Sequence, residues 1–152
     1  MEKMKLMLVD DEPRYLSTTQ KLIAKQGIDV VTASSGQQAL EILKTKGIHV
    51  VILDVKMPGM DGNQTLKAIK EKYPMTEVIM LTGHGTMDSA IDGLKSGAAD
   101  YLIKPADPSH IIEKAKEAFE KIQKMEEKIR SAQTKKFMRS PREILKGEEQ
   151  DF

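Results

Sequence analysis

The chain contains no cysteine, which excludes a disulfide framework and thiol chemistry and fits a reducing cytosol. It also lacks a long apolar run. The N-terminal stretch MEKMKLMLVDDE meets two aspartates after a handful of apolar residues, and nothing approaches the ~18 consecutive apolar residues of a membrane span. The expectation is a soluble, unsecreted, cytoplasmic protein with no membrane contact. Nor does one sign of charge dominate. Lys and Arg number 24 against 23 acidic residues, a formal charge of +1, so there is no global sign of nucleic acid or an anionic surface as partner. The pattern G-x-x-x-x-G-K-[ST] is absent, and GMDG and GHG therefore read as turns rather than nucleotide cradles. The histidines, His49, His84 and His110, show neither metal-ligand spacing nor a serine partner arrangement, and His49 reads as the start of a strand.

What remains is enough for one ordinary domain with a core, plus an appendage: 152 residues, 39% of them hydrophobic. Short apolar runs rich in Val, Ile, Leu or Met occur at Leu6–Val9, Ile28–Val31, Val50–Leu53, Val78–Leu81 and Tyr101–Ile103, and each reads as a strand. Amphipathic segments with helix punctuation lie between them. Pro13 stands at a first helical position with Gly27 beyond the end, and Ser34 or Ser35 precedes GQQALEILK. Asn63 to Tyr73 is closed by Pro74, Thr86 to Lys95 by Gly97, and a fifth helix opens after Asp107 and Pro108. Alternation of strands and helices with short connections predicts an α/β fold, a doubly wound five-stranded parallel sheet of flavodoxin-like order 2-1-3-4-5. In such sheets ligands bind beyond the carboxyl ends of the strands.

Those ends carry chemistry. Strand one runs into Asp10 and Asp11, strand three into Asp54, strand four into Thr82 and strand five into Lys104. Asp54 ends VVIL, an unbroken apolar run of the kind covered on both faces, where a carboxylate has no structural use. Taken singly, each residue has a plain reading: Asp10 or Asp11 as the cap of the helix at Pro13, the others as turn chemistry. Taken together, three carboxylates at one crevice repel one another, roughly 4 kcal/mol for a pair at ~4 Å and an effective dielectric near 20, and they call for a cation. Mg²⁺ takes hard oxygen ligands and commonly bridges to a phosphoryl oxygen, which leaves Lys104 and Thr82 for the remaining oxygens and makes Asp54 a phosphoryl acceptor.

The segments LMLVDDEP, VVILDVKMPGMDG, VIMLTGHG and YLIKP resemble the signature segments of the response-regulator receiver domain of two-component signalling. The resemblance covers about Met4 to Ile122, and LTGHGTMDSAIDGLKSGAADYLIKP is most similar to receivers of transcriptional activators that work with the alternative sigma factor. It implies that Asp54 takes a phosphoryl group from a histidine kinase or phosphotransfer protein, and that the chain is no enzyme beyond catalysing its own phosphorylation and dephosphorylation. It further implies that Asp11 ligates Mg²⁺ directly, Asp10 largely through water, and the Lys56 backbone carbonyl completes the site with Asp54. Thr82 is then the hydroxyl that swings toward the phosphoryl group, Tyr101 the aromatic that turns inward with it, and Lys104 the oxygen clamp. Lys56 and His84 tune phosphoryl lifetime, the Lys104–Pro105 peptide is cis, and the face of helix four, strand five and helix five is the switching surface. Two other readings stand beside this one. One is a Mg²⁺-dependent phosphohydrolase, although the haloacid dehalogenase pattern D-x-D is replaced here by adjacent Asp10 and Asp11. The other is a receiver fragment of a longer DNA-binding transcription regulator.

The expected division is a receiver at 1–122 and a helical extension, basic linker and tail at 123–152. From Ile111 the positions Ile111, Ala115, Ala118, Ile122, Met125, Ile129 and Ala132 alternate steps of four and three. Ile112 and Phe119 widen the stripe up to Ile122, as packing on a sheet requires; past it the stripe narrows to a short coiled-coil seam, reaching about Lys135, that would pair two chains. The basic residues Arg130, Lys135, Lys136, Arg139 and Arg142 lack aromatic interleaving or a helix-turn-helix pattern, so they read as a solvated linker and not as a nucleic-acid surface. Ser140 to Glu143 has the form of a capping box.

Overall fold

Period-two alternation divides the apolar strand residues between two cores. The computed structural model describes residues 3–83 and 86–137. Strands β1 (Lys5–Val9), β2 (Asp29–Ala33), β3 (Val50–Asp54), β4 (Glu77–Thr82) and β5 (Asp100–Ile103) form one parallel sheet in the order β2-β1-β3-β4-β5. Between and after them come α1 (Pro13–Ala24), α2 (Gly36–Thr45), α3 (Gly62–Lys72), α4 (Met87–Lys95) and α5 (Pro108–Phe137). This is the predicted flavodoxin-like fold with a long C-terminal helix. One core gathers Met7, Val9, Val51, Leu53, Val78 and Met80 with residues of α2, α3 and α4. The other gathers Leu6, Leu8, Val50, Ile52, Ile79 and Leu81 with Leu16, Ile23, Ile111 and Ala115 of α1 and α5. Every residue of β3 is buried, Asp54 included.

Local chemistry sets the helix ends. The Ser35 hydroxyl accepts from the Gln38 amide at 3.1 Å to cap α2. Asp61 and Gln64 form a reciprocal capping box on α3, their bonds 2.8 and 3.0 Å long. Pro13 opens α1, yet neither Asp10 nor Asp11 caps it: the residue before the helix is Glu12, whose side chain makes no cap. The Asp10 carboxylate instead accepts from the Glu12 amide, two residues on, in an Asx-type turn. Along α5 the buried residues are Ile111, Ala115, Ala118 and Ile122, whereas Met125 and Ile129 are exposed. Residues Met1–Ile122 make one compact unit and Gln123–Phe152 a second. Arg139, Arg142 and the Ser140–Glu143 capping box lie outside the described residues.

Candidate functional site

Register brings the carboxylates together. Val9 of β1 pairs with Leu53 of β3, so the next residues, Asp10 and Asp54, leave adjacent parallel strands side by side. This is the point where the sheet order reverses, since β1 has β2 on one side and β3 on the other. Asp11 follows in the loop to α1, and one carboxylate oxygen from each of Asp10, Asp11 and Asp54 falls within 4.8 Å of the others. Asp10 and Asp54 are buried and Asp11 is exposed. Three oxygen donors converging at an open mouth could hold a metal ion.

Across the sheet, Thr82 pairs with Ile103, and the Lys104 amide donates to the Thr82 carbonyl at 2.7 Å, which carries the lysine side chain toward the acids. The Lys104 ammonium donates to Asp10 Oδ2 at 2.9 Å and stands 3.4 Å from Asp54 Oδ1. The Lys104–Pro105 peptide is cis, as expected. Burial, followed by the neighbouring Asp10 charge, pushes the Asp54 carboxyl up to about 6, with Lys104 and the Lys56 backbone amide opposing the rise. For Lys104, burial acts to lower the pKa, but the Asp10 hydrogen bond and the Asp54 and Asp10 charges overcome it, so the net shift is upward.

A cavity of about 720 Å³ opens over these groups, lined by Asp11, Asp54, Lys56, Gly83, Thr86 and Lys104 among others. Thr82 does not line it. Its side chain is fully buried, donating to the Gly83 carbonyl and sharing a hydrogen bond with the Thr86 hydroxyl. Tyr101 is half-buried against the core that contains Met80. His84 lies outside the described residues.

Three residues at the site escaped the strand-end pattern. Thr86 read as a helix start, but its hydroxyl is the partner of Thr82. Asp61 read as loop, but its capping box sets where α3 begins, and the Gly62 amide donates to the Val55 carbonyl just past Asp54. Tyr15 drew no reading from the sequence, but its ring lies 5.4 Å from the Lys104 ammonium. The Asp61–Gln64 box is a signal at fixed spacing that the sequence reading passed over, whereas the Thr86 and Tyr15 contacts leave none.

The sequence pattern of the response regulator receiver domain matches residues 6–116. Transcriptional regulatory protein ZraR of Klebsiella oxytoca is 41% identical over 106 residues, 70% of this chain and 24% of that protein. The DNA-binding transcriptional regulator NtrC of Klebsiella pneumoniae is 39% identical over 100 residues, 66% of this chain and 21% of that one. The chain thus spans about a quarter of the length of these relatives. Among solved structures, a response regulator receiver domain protein from Clostridium thermocellum superposes with a TM-score of 0.77 at 35% identity, covering 80% of this chain and 98% of its own.

Proposed function

This chain belongs to the response regulator receiver domain family, and on that premise we propose that it is a phosphorylation switch whose acceptor is Asp54. The observation that carries the reading is the environment of Asp54: buried at the end of the central strand, 3.4 Å from the Lys104 ammonium, beside Asp10 and open to the cavity. The donor is a histidine kinase or phosphotransfer protein. An Asp54 carboxylate oxygen forms the new P–O bond as the donor's P–N bond breaks, and the imidazole leaves with the electron pair of that bond. Lys104 meets the charge on the transferred oxygens from a partly buried seat, where a fixed cation acts more strongly than in water.

Asp11 and Asp54, with Asp10 largely through water and the Lys56 carbonyl, would hold Mg²⁺. When bound, that ion supplies positive charge against the carboxylates and a phosphoryl oxygen. Asp10 suits the outer role, because its two oxygens already accept from the Glu12 amide and the Lys104 ammonium. Lys56 borders the cavity and is assigned, with His84, to the control of water at the acyl phosphate. Thr82 and Tyr101 transmit the event to the face of α4, β5 and α5, where partners or a second copy of the chain associate. The receiver is assigned to residues 1–122 and the extension to 123–152. Apart from handling its own phosphoryl group, the chain is not expected to turn over a substrate.

The 24% and 21% coverage of ZraR and NtrC supports a second reading that adds to the first: this receiver is the input part of a longer transcription regulator. The complete reading frame decides it. Mass spectrometry after incubation with acetyl phosphate and Mg²⁺ tests the phosphoacceptor reading. One added phosphoryl group per chain is expected, dependent on Mg²⁺ and lost in Asp54→Ala. Labelling that persists in Asp54→Ala overturns the assignment.

A further inference from the structure

Tyr15 reaches the site from the first turn of α1, a different direction from the strand-end residues. The Lys104 ammonium stands 5.4 Å from its ring centroid, inside the ~6 Å over which an aromatic face attracts a cation. That attraction strengthens as water is removed, and the lysine side chain is 32% exposed. An ammonium has three donors on a flexible stem. Asp10 takes one at 2.9 Å and Asp54 draws a second at 3.4 Å, and the ring face bounds the group besides these. The Tyr15 hydroxyl is not the working part. It is buried without a hydrogen-bond partner.

We infer that Tyr15 is a positioning residue for Lys104, its ring face holding the ammonium where it meets the oxygens of a phosphoryl group on Asp54. The inference rests on Asp54 being the acceptor. Packing alone does not require an aromatic side chain here, because Tyr15 is only partly buried against an aliphatic core of Leu8, Leu16, Ile23 and Ile111. An apolar side chain of similar bulk fills that space, but it offers no attraction to the cation.

The test uses beryllium trifluoride, a phosphoryl mimic that binds a carboxylate oxygen, titrated into the full chain with Mg²⁺ and read by ¹⁹F NMR. Tyr15→Phe is expected to match wild type. Tyr15→Leu is expected to weaken apparent affinity about 5-fold, with Tyr15→Met measured beside it as a second non-aromatic variant. In a Lys104→Ala background, Tyr15→Leu should add nothing, because its route of action is gone. Wild-type affinity in Tyr15→Leu together with a weak Lys104→Ala overturns the positioning role and leaves the phosphoacceptor reading standing. An undiminished loss in the Lys104→Ala background, or failure of both non-aromatic variants to fold, makes Tyr15 a packing residue and also overturns it. A wild type that takes up no beryllium trifluoride removes the phosphoacceptor reading itself.

Discussion

Thr82 and Thr86 share a hydrogen bond between their hydroxyls, and the Thr82 hydroxyl also reaches the Gly83 carbonyl at 3.0 Å. A hydroxyl has one proton to give. Whether it gives that proton to the Gly83 carbonyl or to Thr86, Thr82 can donate to a phosphoryl oxygen only by giving up one of these bonds, and Thr86, at the cavity wall, ties it to the present arrangement. If Thr82 turns toward a phosphoryl group as proposed, these contacts are expected to set part of the free-energy difference between resting and switched states.

Thr86→Val removes that tie, together with the Thr86 hydroxyl's bonds to the Gly83 amide and carbonyl, while keeping the side-chain shape. A hydrogen bond of this type contributes about 1 kcal/mol net, so the equilibrium should move roughly 5-fold toward the switched state at any level of phosphorylation. The Tyr101 amide shift, placed between its unphosphorylated and phosphorylated positions by NMR, reads that population. An unchanged position would show that Thr86 does not restrain Thr82.

Asp54 is expected to make the metal-free protein less stable as pH rises. Burial, then Asp10, lifts its carboxyl from the usual 3.8 to about 6, so between those values the folded chain binds more protons than the unfolded chain. Relative to the ionised form, its contribution is fully present below about pH 4, declines through that window and is lost above it, a change of up to about 3 kcal/mol at 1.36 kcal/mol per unit. Asp54→Asn should therefore resist urea better than wild type at pH 7.5, by about 1–3 kcal/mol, and lose most of the advantage at pH 4. Added Mg²⁺ should narrow the gap at pH 7.5, since the wild type alone keeps the charge that binds it. An equal advantage at both pH values would place the gain in packing rather than charge.

Gly62 tests how closely α3 must approach the acceptor strand. A Cβ there would stand 2.5 Å from the Asp54 carbonyl oxygen and 2.7 Å from the Val55 Cα, and backbone atoms in a buried strand end have nowhere to move. Gly62→Ala is expected to cost about 1–3 kcal/mol in urea unfolding and to slow labelling of Asp54 by tilting its strand end. Gly47→Ala, where a Cβ meets nothing within 4 Å, is the control and should be neutral or slightly stabilising. Equal effects at the two glycines would argue that the α3 contact is soft.

The sheet and its order were legible because each strand is a compact apolar run and each connection carries its own punctuation, as at Pro13, Ser35 and Pro74. The acidic pair, Asp54 and Lys104 were legible for a related reason: parallel register delivers the residue after each strand to one edge, so chain position alone predicts their meeting. Thr86 and Tyr15 were not. Their roles depend on which way a side chain turns at the start of a helix, a property of the assembled loops that no periodicity encodes. Asp10 shows the opposite case, since the sequence left it divided between capping a helix and serving a site. The structure gives its oxygens to the Glu12 amide and Lys104 instead.

The last prediction concerns assembly along α5. Met125 and Ile129 are 49% and 46% exposed, an uncommon state for large apolar side chains spaced four residues apart on one helix. With Ala132 they are expected to form a narrow seam, and in a parallel pair Lys121 and Glu126 would flank it, adding only a few tenths of a kcal/mol when exposed. So short a seam does not hold a dimer unaided, because three apolar positions per chain bury little area against the cost of association. Within the first unit, Ile91 and Leu94 of α4 and Ile103 of β5 are exposed, at 42%, 37% and 41%, and give that face apolar area of its own. Since Thr82 leads into α4 and Tyr101 lies in β5, phosphorylation is expected to act on that face and shift a monomer–dimer equilibrium. Sedimentation velocity of wild type and of Met125→Lys/Ile129→Lys, each with and without acetyl phosphate and Mg²⁺, should show association that strengthens on phosphorylation in wild type and weakens at least 10-fold in the variant, the factor that ~1.4 kcal/mol represents. A wild type that stays monomeric in both states, or a variant that dimerises equally well, would leave α5 beyond Ile122 without a role in assembly.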